Sequence, residues 1–123
     1  MIEWLVAFVF TQADEMPIYR RWAGATWAQG FGATALTHPF VWFVIPGLVD
    51  RAYLAWLAPV PSLRLDDFGR YALMVAVAET FAVVAESLYL AYLARPRPLL
   101  WAFAANCASA SLGLICRKLF GVP

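Results

Sequence analysis

The stretch from Tyr71 to Tyr92, YALMVAVAETFAVVAESLYLAY, limits what this chain can fold into more than any other. It is long and apolar enough to cross a bilayer, yet it carries Glu79 and Glu86 within it. A carboxyl group in hydrocarbon is costly, so such residues are expected to face a protein interior, to find partners there, and to mark a proton, ion or substrate site. The rest of the chain agrees with a membrane class: 63% of its residues are hydrophobic and 14% charged, whereas soluble proteins average roughly 45–50% and about 25%. Its 123 residues leave room for a single membrane domain, 1–123. A net charge of +1 with no basic tract gives nothing to track a phosphate backbone, so nucleic acid is not an expected partner.

Hydropathy and punctuation along the chain predict an all-α, polytopic protein. Four transmembrane helices over residues 2–19, 22–48, 70–94 and 99–116 form an up-and-down bundle, with one real loop at 50–69. The first segment ends at Arg20 and Arg21, and its ~18 residues just suffice to span. A signal peptide cleaved after Ala13 is the competing reading of Ile2 to Phe10, and the missing basic n-region argues against it. In the second segment Gly24, Gly30 and Gly32 suit close helix contact, and Pro39 is expected to bend the helix just after His38. Within the loop, AYLAWLAPV is too short to span and reads as an interfacial helix anchored by Tyr53 and Trp56. Arg95-Pro96-Arg97-Pro98 separates the last two helices, and Ala105, Ser109 and Gly113 form a small-residue packing seam on the fourth.

Membrane orientation does not follow from the basic residues. Arg20, Arg21, Arg95 and Arg97 on one side are balanced by Arg51, Arg64, Arg70, Arg117 and Lys118 on the other. Cys107 and Cys116 fall on opposite faces of one helix, about 13 Å apart along it, so they cannot bridge, and they read as two buried small hydrophobes.

Depth counting at about 1.5 Å per residue groups the polar residues into two levels. His38 and Glu79 both lie roughly 13 Å inward from the second-loop side, while Glu86 and Asn106 lie at a similar depth from the other side, with Glu15 nearer that interface. Glu79 and Glu86 are two turns apart, within about 20° of one face, so a single helix presents a carboxyl to each level. His38, Glu79, Glu86, Asn106 and Glu15 are therefore the candidate interior polar or ion site. The bland alternative is that buried Asn, Ser and Glu lock helices in register. That packing role is favoured for Asn106, Ser109 and Gly113, and a functional one for Glu79, Glu86 and His38. Asp66-Asp67 is a weak cation candidate in a solvated loop.

Catalysis has less support. Ser109 and Ser111 lack a strained nucleophile turn, and a lone histidine cannot supply the H-E-x-x-H of a zinc protease. A tetrapyrrole on His38 would lack an attachment motif, so a cation is the better-matched cofactor.

Glu15-Met16-Pro17-Ile18-Tyr19, then Thr37-His38-Pro39 with Trp42, then Glu79 and Glu86, then Asn106 and Ser109 before Gly113 occur in that order. The chain thereby resembles a group of small, uncharacterised bacterial integral membrane proteins with E-x-P, T-H-P, paired-Glu and N-x-x-S marks. Ala35 departs from the asparagine which that pattern carries before T-H-P. The resemblance covers most of the chain outside the second loop; it implies a four-helix protein of the bacterial inner membrane and carries no established activity. The expected function is binding or translocation of a proton or cation, with the chain acting as a homo-oligomer. The alternative is a non-catalytic subunit of a larger membrane complex.

Overall fold

A computed structural model describes residues 1–120, apart from the side chains at 117, 118 and 120, so the Arg117 and Lys118 side chains lie outside the described residues. The described residues form helices and no strand. Helix α1 is Ile2–Arg21, α2 is Trp27–Leu57, α3 is Asp67–Tyr92 and α4 is Pro98–Phe120. A 3₁₀ turn at Pro61–Leu63 lies in the connection between α2 and α3. Three of these segments are long and apolar enough to cross a membrane: α2, α3 and the Pro98–Cys116 part of α4. Helix α1 has the length, but Glu3, Asp14 and Glu15 set its composition apart.

The helix ends follow from local chemistry, which shifts several expected boundaries. The start of α2 is fixed by a capping box, in which Gln29 N–H donates to Thr26 Oγ1 at 3.2 Å and Thr26 N–H to Gln29 Oε1 at 2.9 Å. It therefore begins after residue 26 rather than at 22, and Gly24, with φ +67°, serves the preceding turn instead of a helix contact. Pro39 has no N–H to donate, and the expected bend takes the form of a π-helical turn at Phe40–Val44. The helix then continues past residue 48 through a second π turn, Tyr53–Leu57, so AYLAWL prolongs α2 rather than standing apart. Asp66 caps α3 by accepting from Gly69 N–H at 2.7 Å, which starts that helix at Asp67 and gives Asp66 a structural task.

The helices form a ring. Helix α1 packs on α2 and α4, and α3 packs on the same two, so four inward faces surround a common centre. Arg95 Nη1 donates to the Gly24 carbonyl at 2.7 Å, and Trp22 stacks on Trp101, which places the first and third connections at one end. At the opposite end the long connection is held by the Arg70–Asp50 ion pair at 2.9 Å and by Tyr53 Oη, which accepts from Leu65 N–H. Gly30 permits close approach of α1, since a Cβ there would lie 3.5 Å from Met16 and Tyr19. At Gly32 a Cβ would come within 2.6 Å of Tyr89 Oη.

The bundle is apolar outside and polar within. Leu5, Val9, Phe43, Leu88 and Leu112 are exposed, while Gln12, Glu15, Thr34, Thr37, His38, Glu86 and Asn106 are buried. Among the described residues a conventional apolar core lies toward the short-connection end, where Tyr19, Ala23, Ala33, Leu90, Ala102 and Ala105 are fully buried. Cys107 is exposed, contrary to its expected burial, and Cys116 is half-buried; both are free.

Candidate functional site: two interior chambers and their carboxyl groups

The centre of the ring holds a chamber of about 150 Å³ to which every helix contributes. Helix α1 supplies Thr11 and Glu15; α2 supplies Thr34, Thr37, His38 and Trp42; α3 supplies Glu79 and Glu86; α4 supplies Asn106, Ser109 and Gly113. Helical spacing accounts for the convergence. Residues 34, 37, 38 and 41 form one face of α2, and 79, 82 and 86 form one face of α3. The five expected site residues His38, Glu79, Glu86, Asn106 and Glu15 all line this chamber.

Two of the three carboxyl groups are fully engaged. Glu86, 1% exposed, accepts from Thr37 Oγ1 at 2.8 Å on one oxygen, and on the other from Asn106 Nδ2 at 2.8 Å and from Tyr19 Oη. Glu15, also 1% exposed, accepts from Thr34 Oγ1 at 2.6 Å and from Ser109 Oγ at 2.7 Å. Each carboxyl thus joins α2 and α4 to its own helix. Such saturation compensates the burial of a polar group that could not otherwise be tolerated in a water-poor interior.

Glu79 differs. It is half-buried, and among the described residues no hydrogen-bond donor reaches its carboxyl. It lines the polar chamber and also a second, larger one of about 340 Å³. That second chamber lies toward the long-connection end and is walled mainly by apolar side chains from α2, α3 and α4, including Pro46, Met74, Val75 and Leu114. Val41, Trp42, Glu79, Ala110 and Gly113 belong to both linings, so the two spaces meet at Glu79.

His38 does not hydrogen-bond Glu79, the partner expected from its depth. Its ring is packed among Trp4, Phe8 and Trp42, with ring centroids 6.0, 5.1 and 6.0 Å away. Two of these belong to α1, and they draw the imidazole toward that helix. The residue is 6% exposed, and its Nε2 has no partner. The two expected levels are therefore joined differently: Glu86 meets Asn106 as expected, whereas His38 and Glu79 share a chamber without touching through a hydrogen bond.

Three donors were not assigned to the site from sequence: Thr34, and Tyr19 and Thr37, which stand in the E-x-P and T-H-P marks. Their signal was nonetheless present, because Tyr19 follows Glu15 by one turn and Thr34, Thr37 and His38 share a helical stripe. Of the expected packing seam, Ala105 is fully buried, and Ser109 donates to Glu15 as well as packing. Gly113 lines both chambers, and a Cβ built there meets nothing within 4 Å, so it faces space rather than a helix. Among the described residues, no three of His, Cys, Asp and Glu converge as ligands of a metal ion.

Fold and site together define a helical protein with membrane-compatible spans, an apolar exterior and an interior of hydrogen-bonded acids. No family model, curated protein or solved structure matches the chain.

Proposed function

We propose that the chain is a four-helix integral membrane protein of a bacterial inner membrane. Its interior binds a proton or a monovalent cation at Glu79 and passes it between the two chambers. The observation that carries this reading is the contrast among the acids: Glu15 and Glu86 each accept hydrogen bonds on both oxygens, while Glu79 stands at the chamber junction and accepts none from the described residues. A carboxyl without donors is the group that gains most from an incoming proton or cation. The absence of a three-ligand cluster among the described residues favours a singly charged ion over a tightly coordinated divalent one.

Membrane insertion of α1 as the fourth span is supported by its inverted faces. Ile2, Leu5, Val6 and Val9 are exposed, and Gln12, Glu15 and Tyr19 are buried. In water that arrangement would be unfavourable on both faces; in lipid it is favourable on both. Helix α2, with 31 residues, is about 46 Å long at 1.5 Å per residue, and a hydrocarbon layer is about 30 Å thick. Its last turns, with Trp56 78% exposed, are therefore assigned to the interface.

The test is flux into proteoliposomes carrying a pH-sensitive or cation-sensitive dye, with Glu79→Gln beside wild type. Loss of flux in the variant, with the bundle still folded, is the expected result; equal flux would overturn the assignment of Glu79.

A second reading, an accessory subunit within a larger membrane complex, is favoured by the packed end of the bundle. Beyond Glu15 and Glu86, Tyr19, Leu90, Ala102 and Ala105 are fully buried, and none of them lines the polar chamber. Purification in mild detergent with mass spectrometry separates the readings, since an unrelated chain at constant stoichiometry supports the subunit and a single species or homo-oligomer supports the first.

A further inference from the structure

The two chambers have complementary chemistry that neither a bare proton nor a small ion would use in full. At their junction stands the Glu79 carboxyl, which lines both spaces and to which none of the described hydrogen bonds runs. Against it opens a mainly apolar volume of about 340 Å³, at the lower end of the roughly 300–1,000 Å³ of small-molecule pockets. Trp42 lines both spaces, while Met74, Val75 and Leu114 add apolar side chains to the larger one.

We propose that the two chambers form one site for an amphipathic organic ammonium ion, whose N–H groups donate to the Glu79 carboxyl and whose apolar body fills the larger chamber. This rests on the reading of Glu79 as the open interior carboxyl. A lipid chain would fill the apolar space but leave the Glu79 carboxyl unused. A quaternary ammonium would satisfy the charge but has no N–H to give. A primary or secondary ammonium satisfies charge, hydrogen bonds and volume together, and buried polar sites discriminate strongly against analogues that leave a group unpaired.

The decisive experiment is equilibrium binding of radiolabelled 4-phenylbutylamine to the protein in lipid nanodiscs, with empty discs subtracted. Methylamine, 4-phenylbutanol and the trimethylammonium analogue serve as competitors. Wild-type protein is expected to prefer the primary amine over the alcohol and over the quaternary analogue by about tenfold or more, roughly one lost hydrogen bond to a charged group. Equal competition by the alcohol or by the quaternary ion overturns the proposal without use of any variant. Because the bilayer itself concentrates the longer amine, the deciding variant is Val75→Trp, which adds bulk at a residue that lines the larger chamber and not the polar one. It is expected to weaken phenylbutylamine by about tenfold or more, the effect of a few lost CH₂ contacts, and to leave methylamine binding unchanged. If Val75→Trp leaves both amines unchanged, the body does not occupy the larger chamber, and the small-cation site stands without this extension. If Glu79→Gln binds both amines as wild type does, the reading of Glu79 itself fails.

Discussion

Asn106 Nδ2 donates to Glu86 Oε2 at 2.8 Å, and this bond ties α4 to α3 where Thr37 and Tyr19 reach the same carboxyl. Replacing Glu86 by Leu removes three hydrogen bonds: Thr37 Oγ1 and Asn106 Nδ2 keep the Thr34 and Ala102 carbonyls at 3.1 and 2.9 Å, while Tyr19 Oη loses its acceptor. Interhelical hydrogen bonds in membranes average about 0.6 kcal/mol, but a buried donor left unmatched costs about 1–3 kcal/mol. Glu86→Leu is expected to destabilise the bundle by about 2–4 kcal/mol, and Tyr19→Phe, which removes one bond and leaves the acceptor otherwise engaged, by about 1 kcal/mol. Unfolding in mixed micelles titrated with SDS reads both. An equal effect of the two substitutions would show that the carboxyl is not a hub.

Glu15 makes the parallel link from α1 through Thr34 and Ser109. Thr34→Val and Ser109→Ala are each expected to cost about 0.5–1.5 kcal/mol, and the double variant should differ from their sum because both bonds end on one carboxyl. A double-mutant cycle in the same unfolding assay measures that coupling. Strict additivity would argue that the two donors act on Glu15 independently.

How much of this was legible before the structure depends on the residue type. The pairing of Glu86 with Asn106 could be counted from helix ends, because intramembrane Glu and Asn stand out against an apolar background and depth in a helix is arithmetic. Thr34 and Thr37 could not be assigned to the site, since a threonine is nearly neutral on a hydropathy scale and its hydroxyl can be satisfied by its own helix; Thr37 Oγ1 also reaches the Thr34 carbonyl at 3.1 Å. Depth without rotation misled at His38, whose level matches Glu79 but whose ring is held against Trp4 and Phe8 of α1. The capping box at Thr26 and Gln29 was a readable helix start, whereas the continuation of α2 through π turns to Leu57 leaves no such mark.

The turn between α3 and α4 holds a residue poorly suited to its conformation. Ala94 has φ 53°, and the N–H groups of Ala94 and Arg95 bond back to the Ala91 and Leu90 carbonyls, both at 2.9 Å, in the Schellman arrangement. That left-handed position is usually glycine, and an L-residue pays roughly 1–2 kcal/mol there. Ala94→Gly is therefore expected to stabilise the protein by about 0.5–1 kcal/mol after the added freedom of the unfolded chain is subtracted. A higher midpoint in SDS titration with unchanged ligand binding is the predicted signature. A fall in midpoint would mean that the Ala94 methyl makes contacts that outweigh the backbone cost.

Gly32 faces the opposite constraint. A Cβ at this position would lie 2.6 Å from Tyr89 Oη and 3.3 Å from its Cζ, so Gly32→Ala must displace the Tyr89 ring where α2 packs on α3. Overpacking of this kind costs typically about 1–3 kcal/mol. Trimming the partner should relieve it: Tyr89→Phe removes the oxygen that lies closest, and the double variant is expected to recover much of what Gly32→Ala loses. Tyr89→Leu alone should be milder than Gly32→Ala, because it leaves a gap at a half-buried position instead of forcing helices apart. Unfolding midpoints of wild type and the four variants decide the matter. If Tyr89→Phe gives no rescue, the loss in Gly32→Ala arises from backbone displacement between α2 and α3 rather than from the tyrosine hydroxyl.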